Sequence, residues 1–86
     1  MMTPETNKSI VDKIIDRILY TSDFTPESNL EVDLGCDTLD SVELLMEIED
    51  SFIISISNEE WNEVKTVQDI YNIVDAKTIT NDTKTD

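Results

Sequence analysis

The run DLGCDTLDSVELLMEIED, residues 33–50, places one hydroxyl, Thr38, between Asp37 and Leu39, where turn-forming residues give way to helical periodicity. A hydroxyl there has two uses. It can cap the helix by accepting a backbone N–H of the first turn, or it can stand free as an oxygen that becomes esterified. The spacing alone favours the cap. Asp37 and Asp40 are placed to cap as well and to complement the positive end of the helix dipole.

Other chemistries are poorly supplied. An EF-hand loop needs acids at alternate positions, then glycine, then a glutamate at the twelfth position; here Gly35 comes too early and the alternate acids are missing. No specific metal site is expected, although clustered carboxylates could hold divalent ions weakly. The chain has no histidine, one cysteine and few lysines, so no nucleophile–base pair can be assembled and no catalytic residue is expected. The expectation is a protein that is not an enzyme. Cys36 lies among Asp33, Asp37 and Asp40, which disfavour its thiolate, and reads as a small half-buried side chain.

With 86 residues there is room for one small core. Twenty acidic side chains against six basic ones give a net charge of −14. No lysine or arginine lies within residues 18–64, a stretch rich in Asp and Glu. Such a surface repels nucleic acid and anionic membranes and is drawn to basic protein surfaces. A lone cysteine excludes an internal disulfide and fits a reducing compartment. No apolar run approaches the roughly 20 residues of a membrane span, and the N-terminus lacks the apolar core of a secretion signal. The expected location is the cytoplasm.

Helices must position the hydroxyl. Thr3 and Pro4 read as cap and first-turn residue of a helix over roughly residues 4–20, with Ile10, Val11, Ile14, Ile15, Ile18 and Leu19 as its apolar stripe. A long connection follows, with Phe24, Leu30, Val32 and Leu34 available to pin it down and Gly35, the only glycine, expected at positive φ. A second helix is predicted over residues 38–52, with Leu39, Val42, Leu45, Met46, Ile48 and Phe52 on its apolar side. The acids at its C-terminal end oppose the dipole, which suggests a use other than helix stability. IISIS, residues 53–57, alternates partly but has no second strand to pair with, so an extended connection is expected. SNEEWNEV reads as a short capped helix. TVQDIYNIV reads as a final helix with Thr66 and Asp69 in a reciprocal cap and Val67, Ile70, Tyr71 and Val74 inward. Residues 76–86 lack periodicity and are expected to be a disordered tail beyond a domain of residues 1–75. The fold class is an all-α four-helix bundle, three main helices and one short one, with a long loop between helices 1 and 2.

The sequence also resembles a known family. DLGCDTLDSVELLMEIEDSF, followed by ISNEE and TVQDI, is similar to the acyl carrier proteins of dissociated fatty-acid synthase systems, whose attachment motif reads Asp-Ser-Leu-Asp after Leu-Gly and a small residue. VDKIIDRIL in the first helix fits the same pattern, so the resemblance covers roughly residues 8–74. It implies a carrier of acyl thioesters on a 4′-phosphopantetheine arm. Thr38 would be the attachment position, framed by Asp37, Leu39 and Asp40. A phosphopantetheinyl transferase and fatty-acid synthesis or acyl-transfer enzymes with basic patches would dock on Ser41, Val42, Glu43, Met46, Glu47, Glu49, Asp50 and Ile56. The protein would work as a monomer, without nucleic acid.

Thr38 departs from the family, which has serine there. It keeps the hydroxyl, but its β-methyl crowds the oxygen. Three explanations stand: a natural carrier modified on threonine, a serine replaced on purpose, or a homologue that acts only through its docking surface. The alternatives to a fatty-acid carrier are a carrier-like acidic interaction module without a prosthetic group and a specialised polyketide or peptidyl carrier. Ser41 lies inside the helix and reads as a docking-face hydroxyl. Trp61 occupies a position where the family requires no aromatic, and packing or partial exposure is its expected state.

Overall fold

The structure, a computed structural model, describes residues 6–84, with side chains through residue 78. Four helices follow in order: α1 Asn7–Leu19, α2 Thr38–Phe52, α3 Asn58–Asn62 and α4 Val67–Lys84. Among the described residues there is no strand, only an isolated bridge between Asn29 and Thr66.

α1 starts later than the sequence suggests. Thr6 is its cap and accepts from the Ser9 amide at 3.1 Å. The first apolar residue of the stripe is Ile10, one turn inside the cap. Thr3 and Pro4, the expected cap pair, lie outside the described residues. α1 buries Val11, Ile14 and Ile15. It ends at Tyr20, which takes the left-handed conformation usually left to glycine, at φ 59°.

α2 occupies the predicted residues, but its core face differs. Leu44 and Ile48 are fully buried, with Leu45 and Phe52 partly so. Leu39, Val42 and Met46 point out, with Leu39 76 % and Met46 58 % exposed. Apolar residues ring this helix, and the inward stripe is 44, 48, 52 with 45 beside it, at helical spacing. Ile53 closes α2 in the left-handed conformation at φ 54°, its N–H donated to the Glu49 carbonyl. Left-handed geometry is a genuine outlier for a β-branched side chain.

α3 is capped as expected, and the cap is a reciprocal box: Ser57 Oγ accepts from the Glu60 amide at 3.1 Å and Glu60 accepts from the Ser57 amide at 2.9 Å. Lys77 donates to Glu60 at 2.9 Å, and that bond more than any other holds the Glu60 carboxyl below the usual range. α4 opens on a similar box, in which Asp69 accepts from the Lys65 and Thr66 amides and donates its own to Thr66 Oγ1. The Lys65 amide is the main reason its carboxyl is held below the ordinary value.

Val67, Ile70, Tyr71 and Val74 of α4 are buried as expected. The backbone then stays helical to Lys84, through most of the stretch expected to be a disordered tail. Its first turn beyond residue 75 is held by polar contacts rather than apolar ones: Asn7 donates to Asp75 and Thr78, and Lys77 reaches Glu60. Such contacts leave no hydrophobic period to read. Residues 85–86 lie outside the described residues. Tyr71 donates its hydroxyl to Asp12 of α1, and burial and that bond together push its pKa up. Lys8 lies over its ring, 5.3 Å from the centroid.

Candidate functional site

The loop before α2 is an ordered device that delivers Thr38. Asn29 is its hub. Its side-chain oxygen accepts from the Glu31 and Val32 amides at 2.9 and 2.8 Å, and its own amide donates to the Asp33 carboxylate at 2.7 Å. The turn through residues 30–34 is closed by Gly35 at φ 71°, after which Cys36 donates its amide back to the Leu30 carbonyl at 2.8 Å. A Cβ on Gly35 would meet no atom within 4 Å, so the need for glycine is one of backbone conformation, not space. The loop is tied to the segment before α4 by Leu30 donating to Lys65 and Val67 donating to Ser28. Leu30 is buried, and Phe24 and Leu34 pack against the core. Val32 does not pin the loop; it is 80 % exposed because the Asn29-centred turn directs residues 31–33 outward.

Asp37 takes the capping role. Its carboxylate accepts from the Asp40 amide at 2.9 Å and its carbonyl accepts from the Ser41 amide at 2.8 Å. Thr38 is therefore the first residue inside the helix, exposed, and among the described residues its hydroxyl has no hydrogen-bond partner. Of the two uses open to that hydroxyl, capping is already filled.

Beside Thr38 opens a cavity of about 580 Å³ between the loop, α2 and α3, with Leu30, Cys36, Val42, Leu45, Trp61 and Val64 among its walls. Cys36 is buried there. Burial first, then the carboxylates of Asp40, Asp37 and Glu31, push its thiol up to about 11, so it stays protonated and unreactive at neutral pH. Trp61, for which packing or partial exposure was expected, is partly buried against the core and donates its indole N–H to Ser41 Oγ at 2.8 Å. No pattern in the sequence announces this bond, because its partners are 20 residues apart on different helices.

A family defined as the phosphopantetheine attachment site matches residues 9–74. An acyl carrier protein of Porphyromonas gingivalis is 36% identical over 72 residues, covering 83% of this chain and 92% of the relative. One from Syntrophus aciditrophicus is 34% identical over 74 residues, covering 85% and 92%. The chain belongs to the acyl carrier protein family. Among solved structures, a Mycobacterium tuberculosis protein assigned as an acyl carrier protein aligns with a TM-score of 0.79 at 36% identity, covering 83% of this chain and 97% of that one. An acyl carrier protein of Thermotoga maritima aligns with a TM-score of 0.71 at 23% identity, a likeness of fold alone.

Members of this family are carriers rather than enzymes and bear a covalently attached 4′-phosphopantetheine. They work with phosphopantetheinyl transferases and with the enzymes of fatty-acid synthesis. The residues present fit that group. An unpartnered hydroxyl stands on the first turn of α2, where free backbone N–H groups and the positive end of the dipole favour a phosphodiester. When bound, the arm supplies a terminal thiol for thioester formation.

The residues expected to dock partners are not all brought together. Leu39, Val42, Glu43, Met46 and Asp50 share one exposed outer face of α2. Glu47 faces α1 and pairs with Arg17 at 2.7 Å. Glu49 accepts from the Ile56 amide at 2.8 Å and so ties down the connection to α3. Ser41 is turned to Trp61. Ile56 is in the core, 6 % exposed, because that tie pulls the chain inward there. Ile53, which sequence reading placed only in a connection, is 81 % exposed at the end of the same outer stripe. Among the described residues no group of three or more ligands could hold a metal ion.

Proposed function

We propose that this chain carries acyl groups as thioesters on a 4′-phosphopantetheine arm attached to Thr38, in fatty-acid or related acyl biosynthesis. The observation that carries the reading is the free Thr38 hydroxyl at the head of α2, with Asp37 doing the capping. In loading, the Thr38 oxygen attacks the pyrophosphate of coenzyme A. The new phosphodiester forms as the phosphoanhydride bond breaks, adenosine 3′,5′-bisphosphate leaves, and the hydroxyl proton passes to the transferase. Threonine makes the attacking oxygen a crowded secondary alcohol, so a transferase tolerant of the methyl is required. Leu39, on the exposed side, and Asp37 and Asp40 frame the approach.

Partners with basic patches dock on the outer face of α2. Leu39, Val42 and Met46 supply the apolar contact, Glu43 and Asp50 the unpaired charge, and Glu47 and Glu49 the edges. Acids around a narrow apolar stripe give fast, salt-sensitive and reversible association. They also repel a second copy, which supports a monomer. No helix among the described residues is long and apolar enough to cross a membrane, and a cytoplasmic location suits a protein whose partners are metabolic enzymes.

The threonine itself favours a second reading: an acidic module that engages carrier-binding enzymes without an arm. Intact mass before and after incubation with coenzyme A, Mg²⁺ and a broad-specificity phosphopantetheinyl transferase separates the two. An increment of phosphopantetheine mapped to Thr38 is expected. No increment, beside a Thr38→Ser variant that loads, would favour the second reading, and an adduct on Ser41 would overturn the assignment of Thr38.

A further inference from the structure

The backbone of Lys65 is tied to the loop that delivers Thr38. Its carbonyl accepts from the Leu30 amide at 2.9 Å, and the Leu30 carbonyl accepts from the Cys36 amide at 2.8 Å, two residues before Thr38. On its other side the Lys65 amide donates to Asp69 at 2.9 Å, inside the box that caps α4. Two backbone bonds in series therefore fix where Lys65 stands relative to the start of α2. Lys65 is exposed and lines the same cavity as Thr38. The other charged residues of that lining are Glu31 and Asp37, so among the described residues Lys65 is its one cation. It is also the first basic residue after Arg17 in the sequence. Among the described residues its ammonium has no hydrogen bond or ion pair, whereas Arg17 and Lys77 are each paired with a glutamate.

We propose that the Lys65 ammonium is the countercharge that holds the phosphodiester at Thr38. The inference rests on the carrier reading above and adds a residue outside α2 to the attachment site. Loading places one more negative charge beside Glu31, Asp37 and Asp40. The free amides of the first turn of α2 and the positive end of its dipole answer part of that charge. Asp37 already uses its carboxylate to accept from the Asp40 amide. A cation on a flexible four-carbon stem, rooted on the same loop, answers the remainder as a point charge. The pair is exposed, so it biases where the phosphodiester sits and adds little stability. Such a tie fixes the root of the arm and leaves its thiol end free.

Trace labelling with deuterated acetic anhydride, mapped by mass, reads the ammonium directly. The protein is loaded from acetyl-coenzyme A by a broad-specificity transferase, on Thr38 or on a Thr38→Ser variant, and loading is verified by mass. The acetylated arm leaves no free thiol to compete for the reagent. Only the deprotonated amine reacts, and a negative charge beside it favours the protonated form. At pH 8 and low salt, Lys65 should label about twofold or more slower in the loaded protein than in the same protein unloaded, with Lys8 and Lys77 as internal references. In 1 M NaCl the screening length is about 3 Å, and the slowdown should shrink by half or more. A slowdown equally large at both salt concentrations would be shielding by the arm and would overturn the countercharge. Equal rates in loaded and unloaded protein would overturn it as well and leave the carrier reading intact. Failure of both Thr38 and its serine variant to load would sink the carrier reading, and the assignment of Lys65 with it.

Discussion

If Thr38 is the attachment residue proposed above, a single methyl group separates it from the serine that the resemblance implies, and the effect of that methyl is confined to chemistry. Asp37 holds the cap, so Thr38→Ser should leave stability within about 0.5 kcal/mol, as for a surface change away from special features. The same change should raise the rate of arm transfer by about tenfold or more, equivalent to roughly 1.4 kcal/mol of barrier; single-turnover loading followed by mass reads both variants. Asp37→Ala should do the reverse, costing about 1 kcal/mol of stability through the lost cap. Tyr71 allows a second residue-scale prediction. Its pKa is raised in the folded protein, by burial and by the bond to Asp12. The unfolded chain therefore gives up that proton first, near the ordinary tyrosine value of about 10. Stability from this source is complete below that pH and drains away as pH climbs above it. Urea midpoints at pH 8 and pH 11 should fall more steeply for the native chain than for Tyr71→Phe. Equal slopes would mean that the Asp12 bond does not couple protonation to folding.

Among the elements, α2 is asked to do two things, and its sequence shows it. One apolar stripe packs inward on Leu44 and Ile48, while a second, Leu39, Val42 and Met46, is left in water among acids. Composition announced the helix and its limits, but with apolar residues all round it could not say which stripe met the core; Leu44 and the outward Leu39 were resolved only by the packing of α1 and α4. The capped start of α3 and the box at Thr66 were legible because their signals are local, within four residues. The Trp61–Ser41 bond, the burial of Ile56 and the Arg17–Glu47 pair were not, because each depends on how separate segments meet. The proposed attachment position rests on a hydroxyl in a sequence motif; that capping falls to Asp37 alone needed geometry. Ile53 ends α2 in a left-handed conformation that costs an L-residue roughly 1–2 kcal/mol, with its side chain exposed. Ile53→Gly should therefore raise stability by about 1 kcal/mol. If the outer stripe is the docking face, the same substitution should weaken association with the transferase. Higher stability with unchanged transferase KM would remove Ile53 from that face.

The whole molecule balances a small core against its own charge. Among the described residues, twelve buried hydrophobic ones hold a chain of net charge −14, with a radius of gyration of 12.9 Å. Two unit charges about 13 Å apart in water repel by about 0.3 kcal/mol, little for one pair but repeated over many acid–acid pairs. Unfolding spreads these charges, so repulsion acts against the native state. In 10 mM salt the screening length is about 30 Å, wider than the fold, and in 1 M salt it is about 3 Å. Among the described residues, Arg17–Glu47 and Lys77–Glu60 are partly exposed pairs of the kind that contribute little. The urea midpoint should therefore rise between 10 mM and 1 M NaCl, with the slope of the transition unchanged. Partner docking on α2 should weaken over the same range, because there the screened charges attract rather than repel. A core variant fixes the scale: Leu44→Ala should cost about 2–5 kcal/mol, and high salt should recover part of that loss. A midpoint that stayed flat or fell with salt would mean that ion pairs such as Arg17–Glu47 and Lys77–Glu60 outweigh the net charge, and that the acidity of this chain serves its partners at no cost to its fold.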